Sequence, residues 1–259
     1  MARTPSPDYL IFDLETVPDT ERWQPPETGH AEPAFPPTWA HRIIVIGCLR
    51  LDAAYRLRGF GVLAASPAAA PASLEREDDR ERQLLASFSD LVGQARPVLV
   101  TYNGRSFDLP VIVMRALCHA VALPWYYRER EIRHRYSGDG HLDLCDWLAD
   151  HGAARASKLD AIARLIGLPG KLGIDGSQVE GMHRTGQLSA IERYCLADVA
   201  QTALLFLRFR LLQGLLAADT YRERTAALLD ALAADARVAD VLGRLDRARL
   251  LGPAPAPEG

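Results

Sequence analysis

The chain has 259 residues, 48% of them hydrophobic, and a formal net charge of −3, which suits one compact domain with a real core and excludes the broad basic field of a protein that coats nucleic acid. No apolar run reaches the roughly 18–20 residues of a membrane span, and Pro5, Pro7 and Asp8 interrupt any signal-peptide core, so a cytoplasmic protein with no membrane partner is expected. Four scattered cysteines, Cys48, Cys118, Cys145 and Cys195, form no Cys-x-x-Cys pair, which argues against structural zinc and for reduced, mostly buried thiols.

Taken in chain order, Tyr9 to Phe12 reads as a short buried strand ending at Asp13. Residues 18–40 are Pro-rich, lack a period and read as a long loop. Ile43–Leu49 and Tyr55–Val62 read as strands joined by a hairpin near Asp52. Residues 64–73 form an Ala/Pro loop, and a helix follows from Glu75 to about Gln94. Val98–Tyr102 is another buried strand, and Asp108–Val121 a helix in which Asp108 stands at the N-cap.

Residues 125–140 read as irregular, with Tyr126, Tyr127, Arg128, Arg130, Arg133, His134 and Arg135 making a basic-aromatic patch: either a strand channel or a solvated charge run. A short extended piece at His141–Asp143 precedes a helix to about Asp150, and Ser157 caps a helix over Lys158–Ile166 that Gly167 ends. Ser189 with Glu192 makes a capping box for a helix to about Leu212, and a further helix spans Thr220–Leu245. The interleaved strands and helices, with one hairpin, indicate an α/β domain with a mixed sheet.

Three clusters carry chemistry. Asp13 and Glu15 alternate with Leu14, so on a strand they share one face, about 7 Å apart. Two carboxylates so placed repel each other unless a cation lies between them. Asp108 follows Asn103 and Phe107 just after a later strand, at the mouth of the sheet. Tyr194 and Asp198 are four apart and share one face of a helix. Each cluster alone is equally a solvated charge, a cap or a half-buried ring; their order along the chain gives them weight.

In that order the clusters resemble the DEDD superfamily of 3′–5′ exonucleases, in its tyrosine-bearing branch. The histidine branch places His five residues before the last Asp, where this chain has Arg193. The segments Arg96–Gly104, His141–Asp146 and Gly170–Ser177 are similar to stand-alone predicted exonucleases of the family B polymerase type.

The resemblance implies a ribonuclease-H-like fold, a mixed five-stranded sheet flanked by helices, over residues 1–214. Residues 215–250 would be a C-terminal helical extension and 251–259 a disordered tail. It further implies two divalent cations, Mg²⁺ or Mn²⁺. Asp13, Glu15 and Asp198 would hold one, with Asp13 bridging to a second that Asp108 supports. Tyr194 would aim a water at the terminal phosphorus. Leu14, Thr16, Asn103 and Phe107 would contact the terminal nucleotide; core packing is an equal reading of Phe107. The expected activity is stepwise removal of 5′-mononucleotides from single-stranded DNA. An exoribonuclease and a catalytically silent nucleic-acid-binding module are the alternatives. Asp143 and Asp175 also match the narrower group and receive no chemical role.

Overall fold

The computed structural model describes residues 8–25, 35–63, 74–170 and 178–252. Its five strands are β1 (Tyr9–Pro18), β2 (His41–Leu51), β3 (Leu57–Val62), β4 (Val98–Thr101) and β5 (His141–Asp143). They lie in the order β3-β2-β1-β4-β5, antiparallel across β3-β2-β1 and parallel across β1-β4-β5. Helices α1 (Leu74–Ala95) and α2 (Asp108–Cys118) cover one face, and α8 (Leu188–Leu212) covers the other. This is the mixed sheet expected from the order of the elements, with the five strands and flanking helices that the resemblance implies.

β1 is the organising strand. Its side chains alternate across the sheet. Leu10, Phe12 and Leu14 join the core with α1 and α2, while Tyr9 and Ile11 join the core with α8. The same alternation sends Asp13 and Glu15 toward α8. The strand does not stop at Asp13, as its apolar run suggests; it continues to Pro18 because β2 pairs with it throughout, from Tyr9↔Leu51 to Pro18↔His41. What stops is the other neighbour, since β4 accompanies only Tyr9 to Ile11. Asp13 and Glu15 therefore stand where β1 has lost its parallel partner and gained an open edge.

α8 is buried almost all round, from Cys195 to Leu207 apart from Asp198. It is sandwiched between the sheet and α9 (Ala218–Ala233), so it lacks the one-sided apolar stripe of a surface helix. Its contact with β2 is close. A Cβ placed on Gly47 would stand 2.7 Å from Cys195 Sγ and 3.1 Å from Val199 Cγ2.

Several local expectations are corrected. α2 ends at Cys118 rather than Val121, because Ala120 takes a left-handed φ of 53°. Residues 125–140 are not wholly irregular but hold two short helices, α3 (Pro124–Arg128) and α4 (Arg130–Arg133), seated by buried Trp125 and Ile132. α5 spans Leu144–Leu148. α6 (Leu159–Leu165) is preceded by Lys158 rather than capped by Ser157, and Gly167 ends it at a φ of 93°. α8 starts at Leu188 after Gln187 with no side-chain cap, so Ser189 and Glu192 lie inside its first turns and form no capping box.

The single helix predicted over 220–245 is broken. After α9, Asp235 accepts the Arg237 amide at 3.0 Å in a turn, and α10 (Ala239–Leu242) and α11 (Arg247–Leu251) follow. Tyr221, Leu228, Leu232, Val238 and Leu250 from this region join the same core as Ile11 and Leu204. α7 (Val179–Arg184) precedes α8 and packs on β1. The loop 64–73, Asp175 and residues 253–259 lie outside the described residues. No helix among the described residues is long and apolar enough to cross a membrane.

Candidate functional site

At the open edge of β1 lies a cavity of about 740 Å³. Every site residue expected from the sequence lines it: Asp13, Leu14, Glu15, Thr16, Asn103, Phe107, Asp108, Tyr194 and Asp198. Three separate elements deliver them. β1 supplies the first four, the turn from β4 into α2 supplies the next three, and α8 supplies Tyr194 and Asp198 on successive turns.

Asp108 is the most buried of the carboxylates, with 4% exposure. It is not the N-cap, a position taken by Phe107, but the first residue of α2. Its Oδ1 accepts the Leu14 amide at 3.1 Å. Burial pushes its pKa up to about 7; its own amide and that of Leu14 work against the shift, and the charge of Asp143 adds to it. Tyr194 is half-buried, and burial pushes its phenol well above the usual range, helped by the charges of Asp198, Glu15 and Asp13. Both effects favour its neutral hydroxyl.

The carrier of Asn103 and Phe107 is a braced turn. Asn103 has a left-handed φ of 69°. Gly104 follows because a Cβ there would fall 2.6 Å from Thr101 Cβ. The Asp143 carboxylate accepts the amides of Asn103 and Arg105, both at 2.8 Å, and that of Cys145 at 3.0 Å. Asp143 thus caps α5 and fastens the turn to it, which gives the residue a structural place that the sequence alone did not supply.

The basic-aromatic segment lines no part of the cavity. Arg135 pairs with Asp146, Arg133 lies over the Tyr127 ring at 5.8 Å, and Ile132 is buried.

Other residues reach the cavity that the sequence did not single out: Thr20, Trp23, Pro25, Phe35, Pro36, His41, Tyr102 and Glu180 among them. Most belong to the Pro-rich stretch 18–40 or its edge, and the length of that stretch is the one signal that marks a functional loop. Buried ions anchor its start at Asp19. Arg115 donates to Glu81 at 2.5 and 2.8 Å and to Asp19 at 2.7 Å, and Arg42 meets Asp19, Glu77 and Asp78. Cys195 was also missed as a neighbour of the site. Its Sγ lies 3.5 Å from the Asp13 carbonyl oxygen and within 4.8 Å of carboxylate oxygens of Asp13 and Glu15. Burial, and then the nearby carboxylates, hold this thiol protonated. Cys48 and Cys145 are buried as expected, whereas Cys118 is exposed.

The donor set fits hard divalent cations. Asp13, Glu15, Asp108 and Asp198 offer only oxygens, and the described lining residues include Glu180 but no lysine or arginine. A buried carboxylate whose proton is held to about pH 7 stands ready to exchange that proton for a cation.

Residues 33–244 match the model of a family described as predicted 3′–5′ exonucleases related to the exonuclease domain of PolB. That span includes Asn103, Phe107, Asp108, Tyr194 and Asp198 and begins after Asp13 and Glu15. Among solved structures, the family B DNA polymerase of the hyperthermophilic archaeon Pyrobaculum calidifontis superposes with a TM-score of 0.55 at 18% identity, over 89% of this chain and 30% of that one. The zinc-bound E. coli ExoI–ssDNA complex gives a TM-score of 0.41 at 15% identity, over 87% and 42%. The chain thus spans under half the length of either protein. No curated protein matches it. The fold is ribonuclease-H-like, and by the match over residues 33–244 the chain belongs to the family of predicted 3′–5′ exonucleases related to the exonuclease domain of PolB.

Proposed function

We propose that the protein hydrolyses the terminal phosphodiester bond of single-stranded DNA from its 3′ end and releases 5′-mononucleotides. The observation that carries this reading is the convergence of Asp13, Glu15, Asp108, Tyr194 and Asp198 on one cavity from three elements. Asp13, Glu15 and Asp198 would hold one divalent cation, with Asp13 and Asp108 at a second; Mg²⁺ and Mn²⁺ both suit the oxygen donors. When bound, such a pair stabilises the attacking and leaving oxygens of an in-line displacement.

The chain's own residues do the rest. Tyr194, kept neutral by its surroundings, orients the attacking water through its hydroxyl. Asn103 and Phe107, on the turn that Asp143 holds, position the terminal nucleotide. Leu14 and Thr16, which line the same cavity, would contact that nucleotide. The active unit is residues 1–214, with the helices of 215–250 bracing α8 from behind.

The test is incubation with 5′-labelled single-stranded DNA and RNA of matched sequence in Mg²⁺, Mn²⁺ or EDTA, beside Asp13→Ala. A ladder shortening from the 3′ end, abolished by EDTA and by the substitution, is the expected result. Binding of both strands with cleavage of neither sinks the reading.

A further inference from the structure

We infer that the outer face of α3 and α4 is a landing surface for the stretch of single strand that lies 5′ of the terminus in the cavity, where the Tyr127 ring stacks a base and Arg128 and Arg130 meet backbone phosphates; the inference rests on the nuclease reading above. The chain carries a net charge of −3, yet residues 126–135 hold four arginines against two glutamates. Arg135 pairs with Asp146, and Arg133 braces Tyr127. Arg128 and Arg130 are exposed and pair with no carboxylate among the described residues. Such guanidinium groups are free to meet phosphate oxygens.

Tyr127 is 58% exposed but firmly mounted. An edge-to-face chain of rings runs out to it from the core: Phe88 to buried Trp125 at 5.9 Å, Trp125 to Tyr126 at 5.8 Å, and Tyr126 to Tyr127 at 5.2 Å. Arg133 lies over the Tyr127 ring at 5.8 Å and donates to its carbonyl oxygen at 3.3 Å. A ring held in this way meets a base without first having to be ordered. A run of charges that served only to solvate the surface would need no such mount.

The surface is also docked to the cavity's own turn. Asn103 lines the cavity, and Arg105, two residues on, reaches the Arg133 carbonyl oxygen at 3.5 Å and that of His141 at 3.4 Å. Gly140, at the start of β5, lets α4 come close, since a Cβ there would fall 2.4 Å from the Ile132 nitrogen. A strand whose last nucleotide rests against Asn103 thus finds the Tyr127 face next along the same turn. Every base has a π-face, so the surface reads no sequence; a duplex hides those faces, so it selects single strands.

The experiment compares a trinucleotide with a strand of about 16 nucleotides, the upper site size of single-strand modules. Binding is read by anisotropy in EDTA across a salt series, and KM and kcat are read in Mg²⁺. The wild type should bind the long strand more tightly. Tyr127→Ala should weaken long-strand affinity and raise its KM by about five- to a hundredfold, with the trinucleotide and kcat unchanged, and Tyr127→Phe should keep the wild-type values. A long strand made abasic upstream of its end should lose the same factor, and Tyr127→Ala should lower it no further. Arg128→Gln with Arg130→Gln should flatten the salt slope by about 0.7 per lost phosphate contact.

Wild-type affinity for the long strand in both the Tyr127→Ala and the arginine variants overturns the inference. So does an equal loss on both lengths, which would mean that the segment acts through the Asn103 turn. A polyglutamate peptide of equal charge that competes as well as the strand points to an acidic protein partner and overturns it too. Cleavage with no length dependence in the wild type overturns it while leaving the nuclease reading intact. Length-dependent binding that Tyr127→Ala removes, without any cleavage, supports the surface and sinks the nuclease reading instead.

Discussion

The Asp108 carboxylate accepts the main-chain amide of Leu14 at 3.1 Å, so the residue that opens α2 is fastened to β1 between Asp13 and Glu15. One oxygen of Asp108 supports the fold, and the group as a whole faces the cavity. The two duties separate by substitution. Asp108→Asn retains an oxygen for Leu14 and removes the charge; it should keep the unfolding midpoint while activity falls by about 10²-fold or more. Asp108→Ala also orphans a buried amide and should cost about 1–3 kcal/mol of stability. Equal melting losses in both variants would show that the Leu14 bond is not what Asp108 contributes to the fold.

The same carboxylate links cation binding to pH. Its folded pKa, about 7, lies above the ordinary value of 3.8. The sign follows from this: between those values the folded, metal-free protein holds a proton that the unfolded chain has lost, so stability from this group declines as pH rises through 7. A cation must displace that proton. Its affinity should weaken by up to about tenfold per pH unit below 7 and level off above it. Calorimetric titration with Mg²⁺ in buffers of different ionisation heat measures the proton released; an affinity flat from pH 5.5 to 8 rules the linkage out.

Tyr194→Phe should lower kcat by about 10²-fold, the scale of a misplaced nucleophile, with KM little changed. Because burial, the largest cause, raises its phenol pKa and cations on the neighbouring carboxylates offset only their smaller share, the wild-type rate should show no alkaline limb below the ordinary tyrosine value of 10. A rate that falls with an apparent pKa near 9 and loses that limb in the Phe variant contradicts this assignment.

Asp143 does not itself line the cavity, yet Asp143→Ala removes the acceptor of three close main-chain amides at Asn103, Arg105 and Cys145. Stability should fall by about 1–3 kcal/mol, and KM should rise more than kcat falls because the turn bearing Asn103 loosens. An unchanged KM in a destabilised variant would confine Asp143 to the fold.

Arg115→Met leaves Glu81 and Asp19 buried without their main cation and should cost about 3–5 kcal/mol. Burial opposes ionisation of Glu81, but hydrogen bonds from His119 and Arg115 outweigh it and its pKa is lowered; Asp19 is lowered likewise by Arg115 and Arg22. Stability from such groups is present above the ordinary values of 4.5 and 3.8 and lost as pH falls through the lowered folded ones. The gap between wild type and variant in urea midpoint should therefore narrow below about pH 4; a gap constant with pH would be inconsistent with an ionic role.

The candidate positions were legible because each sits in a local pattern, alternation on a strand for Asp13 and Glu15, a shared helix face for Tyr194 and Asp198, a strand-to-helix turn for Asp108, and because the three patterns come in one order along the chain. All five line one cavity. What failed locally failed for tertiary reasons. The apolar run ends at Phe12, but β2 carries β1 six residues further, to Pro18. Ser189 and Glu192 have the capping-box spacing, but the helix begins before them. His41, Phe35 and Trp23 gave no signal because a ring near a Pro-rich stretch becomes a cavity wall only through tertiary contacts, such as the ion pairs of Asp19 with Arg42 and Arg115.

Gly47 sets a length that no functional group can set for itself. With no Cβ, it lets the backbone of β2 lie against Cys195 and Val199, the neighbours of Tyr194 and Asp198 on α8. The gap between the helix-borne and strand-borne halves of the cavity is thus gauged by a single hydrogen atom on the far strand. A methyl group at that position would act as a shim, widening the jaws while leaving every tooth in place.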